Sequence, residues 1–153
     1  MKITDMLKRP FIVGEMRSSD KRGALQELAN ALAGGPARFD SDAMLKVLLE
    51  RERLGSTGIG EGIAIPHGKL AGLEEIMVAF GRSRVGVAFE AMDGKPVHLF
   101  FLLMAPENSA GQYLKTLAKL SRMLKDGEFR RQLREAASVD ELLRIIGERE
   151  DGL

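Results

Sequence analysis

Leu99-Phe100-Phe101-Leu102-Leu103-Met104 is the stretch that most restricts how this chain can fold. Side chains of a strand alternate between its two faces, so an unbroken apolar run leaves neither face polar. Such a strand has to be covered on both sides, at the centre of a sheet between two layers. Pro106 ends it, because proline brings no N–H to a ladder. Upstream, Ile76–Gly81 and Val85–Glu90 read as strands. The turn dipeptide Asp93-Gly94 then makes a hairpin of Val85–Glu90 with Val97–Met104.

Helical patterns lie on either side of this block. Residues 3 to 8 read as a short helix stopped by Pro10, and Phe11–Val13 as a short strand. Ser18, Ser19 and Asp20 offer N-cap oxygens before Leu25, Leu28, Ala29 and Leu32, which Gly34-Gly35-Pro36 terminates. Asp40-Ser41-Asp42 opens a second helix with Met44, Val47, Leu48 and Leu54 on its inner side, closed by Gly55. After a glycine-rich loop, Ile63–Ile65 reads as a short strand. Beyond Pro106, Leu114, Leu117, Leu120 and Leu124 form one helical stripe, and a short helix spans about residues 127 to 135. Ser138 and Glu141 make a capping box before Leu142, Leu143, Ile145 and Ile146. Helices before and after a block of strands predict an α/β fold. It is a three-layer α/β/α sandwich, a central mixed sheet of about five strands flanked by helices on both faces.

The chain has 153 residues, without repeats or linkers, and residues 1–153 are expected to form one domain. Its 23 basic and 22 acidic residues nearly cancel, so nothing directs it to nucleic acid or an anionic membrane, and an anion site has to be local. No cysteine is present, which excludes disulfides, thiolate nucleophiles and cysteine metal ligands. No apolar run approaches the roughly 20 residues a membrane helix needs, and the start of the chain lacks a signal-peptide pattern. A cytoplasmic protein without membrane insertion is expected.

The chemistry concentrates in Gly58-Ile59-Gly60-Glu61-Gly62-Ile63-Ala64-Ile65-Pro66-His67-Gly68-Lys69. The glycines do not make G-x-G-x-x-G, because position 63 is isoleucine, and Leu70 stands where a phosphate-binding P-loop needs Ser or Thr. There is no nucleophile elbow. His67 and His98 have no spacing suited to a metal, so no metal and no cofactor is expected. Proline and glycine on either side of His67 disfavour a helix there and suit an imidazole held at a strand end. A neutral imidazole near pH 7 is a competent phosphoryl acceptor, and loop N–H groups with one arginine can hold the phosphate oxygens. On the residues alone, a core histidine on a turn is the equal alternative.

The same segment resembles the enzyme IIA domains of the mannitol/fructose class of the bacterial phosphoenolpyruvate-dependent phosphotransferase system. Glu52, Ile59, Gly60, Ile63, Ala64, Ile65, Pro66, His67 and Gly68 occupy every position of the signature around that family's phosphorylated histidine. Leu48–Gly60, Pro96-Val97, Leu102–Glu107 and Tyr113–Arg122 are similar as well, most of all to the nitrogen-related branch. The resemblance implies that His67 accepts a phosphoryl group from an HPr-like carrier protein, on Nε2, and that Arg51 neutralises phosphate charge. It implies that Ser56, Thr57, Gly60, Gly62 and Gly68 shape the phosphate pocket. A turn-stabilising role for Thr57 is equally open. Tyr113 stands where many members have a second histidine, so one positive charge is missing there. His98 is read as a rim residue. Ile59, Ile63 and Leu70 are candidates for docking the carrier, with ordinary core positions as the alternative.

Three functions follow. The first is a regulatory phosphocarrier, for which the resemblance implies targets such as potassium-transport and sensor-kinase proteins. The second is a sugar-transport IIA passing phosphate to a separate IIB protein, and the third is a binding module that has lost phosphotransfer.

Overall fold

The structure, a computed structural model, describes residues 2–34 and 39–153. Gly35 and Pro36, named above as helix terminators, lie outside the described residues. The chain begins with α1 (Ile3–Met6), a 3-10 turn (Arg9–Phe11) and β1 (Ile12–Val13). Pro10 sits inside that turn, where its missing N–H costs nothing. Two helices follow, α2 (Lys21–Ala33) and α3 (Ser41–Glu52), each opened by an aspartate that caps it, Asp20 and Asp40. The strands are β2 (Gly58–Gly60), β3 (Ile63–Ala64), β4 (His67–Lys69), β5 (Met77–Val87) and β6 (Val97–Ala105). Three helices close the chain: α4 (Ala110–Leu124), α5 (Gly127–Glu135) and α6 (Val139–Asp151). Ser138 caps α6 through the Glu141 N–H, but the Glu141 carboxylate reaches the Ala137 N–H instead of completing the box.

The described strands form one six-stranded mixed sheet in the order β1-β5-β6-β3-β2, with β4 also paired to β6. β6 is the central strand, as its apolar run requires, and every residue from Leu99 to Ala105 is buried. It is antiparallel to β5 and parallel to β3 and β4, which lie end to end along its other side. Proline explains the gap between those two. Pro66 has no N–H to give, so the ladder stops after Ala64 and resumes at His67.

Successive residues of β5 show the three layers. A Cβ on Gly81 would lie 2.5 Å from Met16 Sδ and 2.8 Å from a Leu28 methyl, so α2 packs directly on that face. The next residue, Arg82, reaches the opposite layer. Its guanidinium donates to the carbonyls of Leu133 (3.0 Å) and Ala136 (2.6 Å), which the end of α5 leaves unpaired. Edge-to-face pairs Phe80–Phe101 and Phe89–Phe100, with ring centroids 5.0 and 5.4 Å apart, fill the space beside the sheet.

The structure corrects four expectations. The strands expected at Ile76–Gly81 and Val85–Glu90 are one strand, β5, with a bulge between Arg82 and Val87 where Gly86 has φ +101°. Asp93-Gly94 is a turn closed by the Gly94 N–H on the Ala91 carbonyl, within a longer connection. Leu54 lies beyond α3 and is 84% exposed, and Leu114 on α4 is 63% exposed, so neither joins the core.

Candidate active site

His67 is the first residue of β4, opposite Leu103 of β6, and is half-buried. Its ring is held from two sides. Nδ1 is 2.7 Å from the Ile65 carbonyl oxygen. A carbonyl only accepts, so Nδ1 carries the proton. Nε2 is therefore a bare lone pair, and it accepts from Arg51 Nε–H at 3.3 Å. Arg51 lies in the last turn of α3, and its Nη1 donates to the Gly55 carbonyl at 3.0 Å. Arginine is always a donor, so both partners select the same tautomer.

Burial pushes the His67 pKa below the ordinary histidine value, and the Arg51 charge pushes the same way. The Ile65 hydrogen bond and the Glu52 charge oppose the shift without reversing it. The imidazole stays neutral and nucleophilic where a free histidine takes a proton. The unfolded chain binds that proton more readily, so below pH about 6.5 protonation favours unfolding. Stability should fall as pH drops through that value towards the lower folded pKa. Denaturant unfolding between pH 8 and 5 checks this. His67→Gln should show a smaller loss on acidification than the parent chain.

Gly68 is what lets α3 approach. A Cβ there would lie 2.5 Å from Val47 Cγ1, so close packing between β4 and α3 by itself requires the glycine. Gly68→Ala should cost about 1–3 kcal/mol through overpacking. Urea unfolding measures this, and adding Val47→Ala should recover most of the loss.

Tyr113 of α4 faces His67 edge-on, with ring centroids 6.0 Å apart at 61°. Burial raises its phenol pKa, so it stays an uncharged donor. Lys69 Nζ lies 5.4 Å from the Tyr113 ring centroid. Lys69 was not singled out from the sequence, although the strand period of two puts it on the same side of β4 as His67. It brings a positive charge beside the position where the resemblance left one missing.

The remaining residues separate. Ser56 Oγ accepts from the Gly58 N–H at 3.0 Å. Thr57 is buried and its hydroxyl donates to Glu52, so its one proton is not free for a phosphate. Gly60 and Gly62 sit at the tip of the β2–β3 hairpin, beside Asp93 and His98. That is near Leu99 of β6, four residues or about 13 Å of strand from Leu103. These two glycines shape the hairpin, with φ +97° and +76°, and do not join His67. His98 is half-buried beside that tip, with Nδ1 2.8 Å from the Ser83 carbonyl. Of the docking candidates, Ile59 is 46% exposed, Ile63 is 4% exposed in the core, and Leu70 is half-buried against it. A cavity of about 620 Å³ lined by residues such as Met6, Phe11 and Met77 shares none with this site.

A neutral nucleophile beside an arginine suits attack on an electrophilic, anionic group such as a phosphoryl group. The model of the family described as "Phosphoenolpyruvate-dependent sugar phosphotransferase system, EIIA 2" matches residues 5–149. The chain belongs to this EIIA family. A nitrogen regulatory protein of Bradyrhizobium diazoefficiens is 41% identical to this EIIA chain over 146 residues, 95% of each. The fructose-specific EIIABC component of Bacillus subtilis is 40% identical over 148 residues, 97% of this chain and 23% of that longer protein. The crystal structure of nitrogen regulatory protein IIA-Ntr from Neisseria meningitidis superposes with a TM-score of 0.87 at 36% identity. It covers 94% of this chain and 98% of that one. The EIIA family is a component of a phosphotransferase system, and its α/β fold is the one described above. No helix among the described residues is long and apolar enough to cross a membrane.

Proposed function

We propose that this EIIA chain is a histidine phosphocarrier, one domain acting in the cytoplasm, that accepts a phosphoryl group on Nε2 of His67. The observation that carries the reading is the double restraint on the imidazole, Nδ1–H on Ile65 and Nε2 under Arg51. An HPr-like protein presents a phosphohistidine. The Nε2 lone pair attacks phosphorus in line, the new N–P bond forms as the carrier's N–P bond breaks, and the electron pair returns to the carrier's imidazole. Positive charge that develops on the His67 ring is shared through Nδ1–H with the Ile65 carbonyl. Arg51 transfers its hydrogen bond from Nε2 to the phosphoryl oxygens, with Lys69 and Tyr113 on the other side. Neither a metal nor a cofactor enters these steps.

Two exposed leucines adjoin the site: Leu54 follows Arg51 by three residues and Leu114 is next to Tyr113. They extend the docking surface that Ile59 supplies. The paired change Leu54→Asp and Leu114→Asp should raise KM for the carrier about tenfold or more with kcat retained, since interface anchors commonly carry 1–2 kcal/mol each, roughly. Steady-state transfer kinetics check it.

The nitrogen regulatory relatives support a mainly regulatory role; targets such as potassium-transport or sensor-kinase proteins rest on the family resemblance alone. The fructose-specific name of the Bacillus subtilis relative favours the sugar-specific side of the second reading, a IIA that would here hand phosphate to a separate IIB protein. A binding module without phosphotransfer is disfavoured by the intact His67–Arg51 pair. The deciding experiment incubates the protein with phosphoenolpyruvate, enzyme I and an HPr-like carrier and locates acid-labile phosphate by mass spectrometry. Phosphate on His67 is expected. No transfer from any carrier would favour the binding module.

A further inference from the structure

Glu52 is a buried carboxylate next to Arg51, and the chemistry above does not use it. We propose that Glu52, with Lys21 as its counter-ion, is a positioning residue that holds both restraints on His67 at once; the proposal rests on the phosphocarrier reading. A buried carboxylate is retained only when its oxygens are filled, and those of Glu52 are. One oxygen accepts from Lys21 Nζ and from the Thr57 N–H, each at 3.1 Å. The other accepts the Thr57 hydroxyl proton. These partners come from the start of α2 and the segment leading into β2, so the carboxylate ties three segments together. Lys21 is itself held, its ammonium 5.0 Å from the centre of the Phe89 ring.

From Thr57 the connection runs to the nucleophile in two steps. The Thr57 carbonyl accepts the Ile65 N–H at 3.0 Å. The Ile65 carbonyl then accepts Nδ1–H of His67 at 2.7 Å. On the other side, Glu52 fixes the end of α3, from which Arg51 reaches Nε2. The loop between Arg51 and Thr57 is thus pinned across its base by one side chain. A shift of Thr57 moves Ile65 and lengthens the bond that keeps the proton on Nδ1. Glutamine at position 52 removes the charge that answers Lys21, and its amide nitrogen can meet the Thr57 hydroxyl only by reversing that hydrogen bond.

The test uses the full chain and the variants Glu52→Gln, Lys21→Met, Thr57→Val and Thr57→Ser, with circular dichroism to establish folding. Nitrogen-15 NMR of the His67 ring reads the tautomer without any phosphate. Transfer from a phosphorylated HPr-like carrier gives kcat and KM separately. Glu52→Gln and Thr57→Val should lower kcat tenfold or more, leave KM for the carrier unchanged, and mix the His67 tautomers. Lys21→Met should do the same to a smaller degree, and Thr57→Ser should restore the parent values. A folded Glu52→Gln protein with unaltered kcat and a single Nδ1–H tautomer overturns the proposal. If Glu52→Gln does not fold, the comparison of Thr57→Val with Thr57→Ser decides in the same way. If the parent chain takes no phosphate on His67, the phosphocarrier reading fails, while the tautomer measurement still judges the positioning role.

Discussion

His67→Ala protein should incorporate no phosphate from phosphoenolpyruvate, enzyme I and an HPr-like carrier, under conditions where the parent chain is labelled. Its loss should be complete, because the nucleophile itself is gone and the ring of His98 is turned to the Ser83 carbonyl at the other end of β6. The fold should survive. The His67 side chain is half-buried, and its only described hydrogen bonds are to Ile65 and Arg51. Its removal should change stability by about 1 kcal/mol or less, as is usual away from a core. Intact-mass analysis after labelling and a thermal melt measure the two effects. Residual labelling of the variant would move the acceptor to another residue.

Arg51→Ala should slow transfer by about 10²–10³ while leaving KM for the carrier nearly unchanged, the size expected for losing one preorganised donor to transition-state oxygens. Rapid-quench measurement of a single turnover reports it. Arg51→Lys should recover little. The guanidinium meets Nε2 through Nε and the Gly55 carbonyl through Nη1, and a single ammonium cannot fill both positions. The same substitution to alanine removes a charge that lowers the His67 pKa, so the imidazole should titrate at a higher pH in Arg51→Ala. Complete rescue by lysine would reduce the role of Arg51 to simple charge.

The sequence made the architecture legible wherever a local rule was sufficient. A run from Leu99 to Met104 with no polar face had to be the central strand, and β6 is that strand. Asp20, Asp40 and Ser138 announce their helices because a capping side chain acts within three residues of itself. The failures are non-local. β2 and β4 are three residues each, rich in glycine, and become strands only because β3 and β6 pair with them. Arg82 to Arg84 reads as a break between two strands, whereas a bulge between Arg82 and Val87 lets β5 continue past it. Leu54 and Leu114 matched a helical stripe, and periodicity cannot distinguish an apolar residue kept for the core from one left exposed.

The candidate site divides in the same way. His67 stood out because proline and glycine flank it. Arg51, on a helix sixteen residues earlier, was carried by resemblance, and its contact with Nε2 exists only in three dimensions. The resemblance places Gly60 and Gly62 with the phosphate, yet the hairpin carries them toward the other end of β6, beside Asp93 and His98. Lys69 and Glu52 were passed over as a site residue and a signature position. Their partners, Tyr113, Lys21 and Thr57, come from distant parts of the chain or from beyond a turn.

His67 opens a strand paired to the buried centre of the sheet, so on the phosphocarrier reading both forms should share nearly one outline, and a listening protein would distinguish them mainly by charge, close to two negative units added at a single point. Such a message is legible over only about one Debye length, roughly 8 Å in cellular salt. Targets therefore have to touch the site to hear it, and their preference for one form should weaken steadily as ionic strength rises.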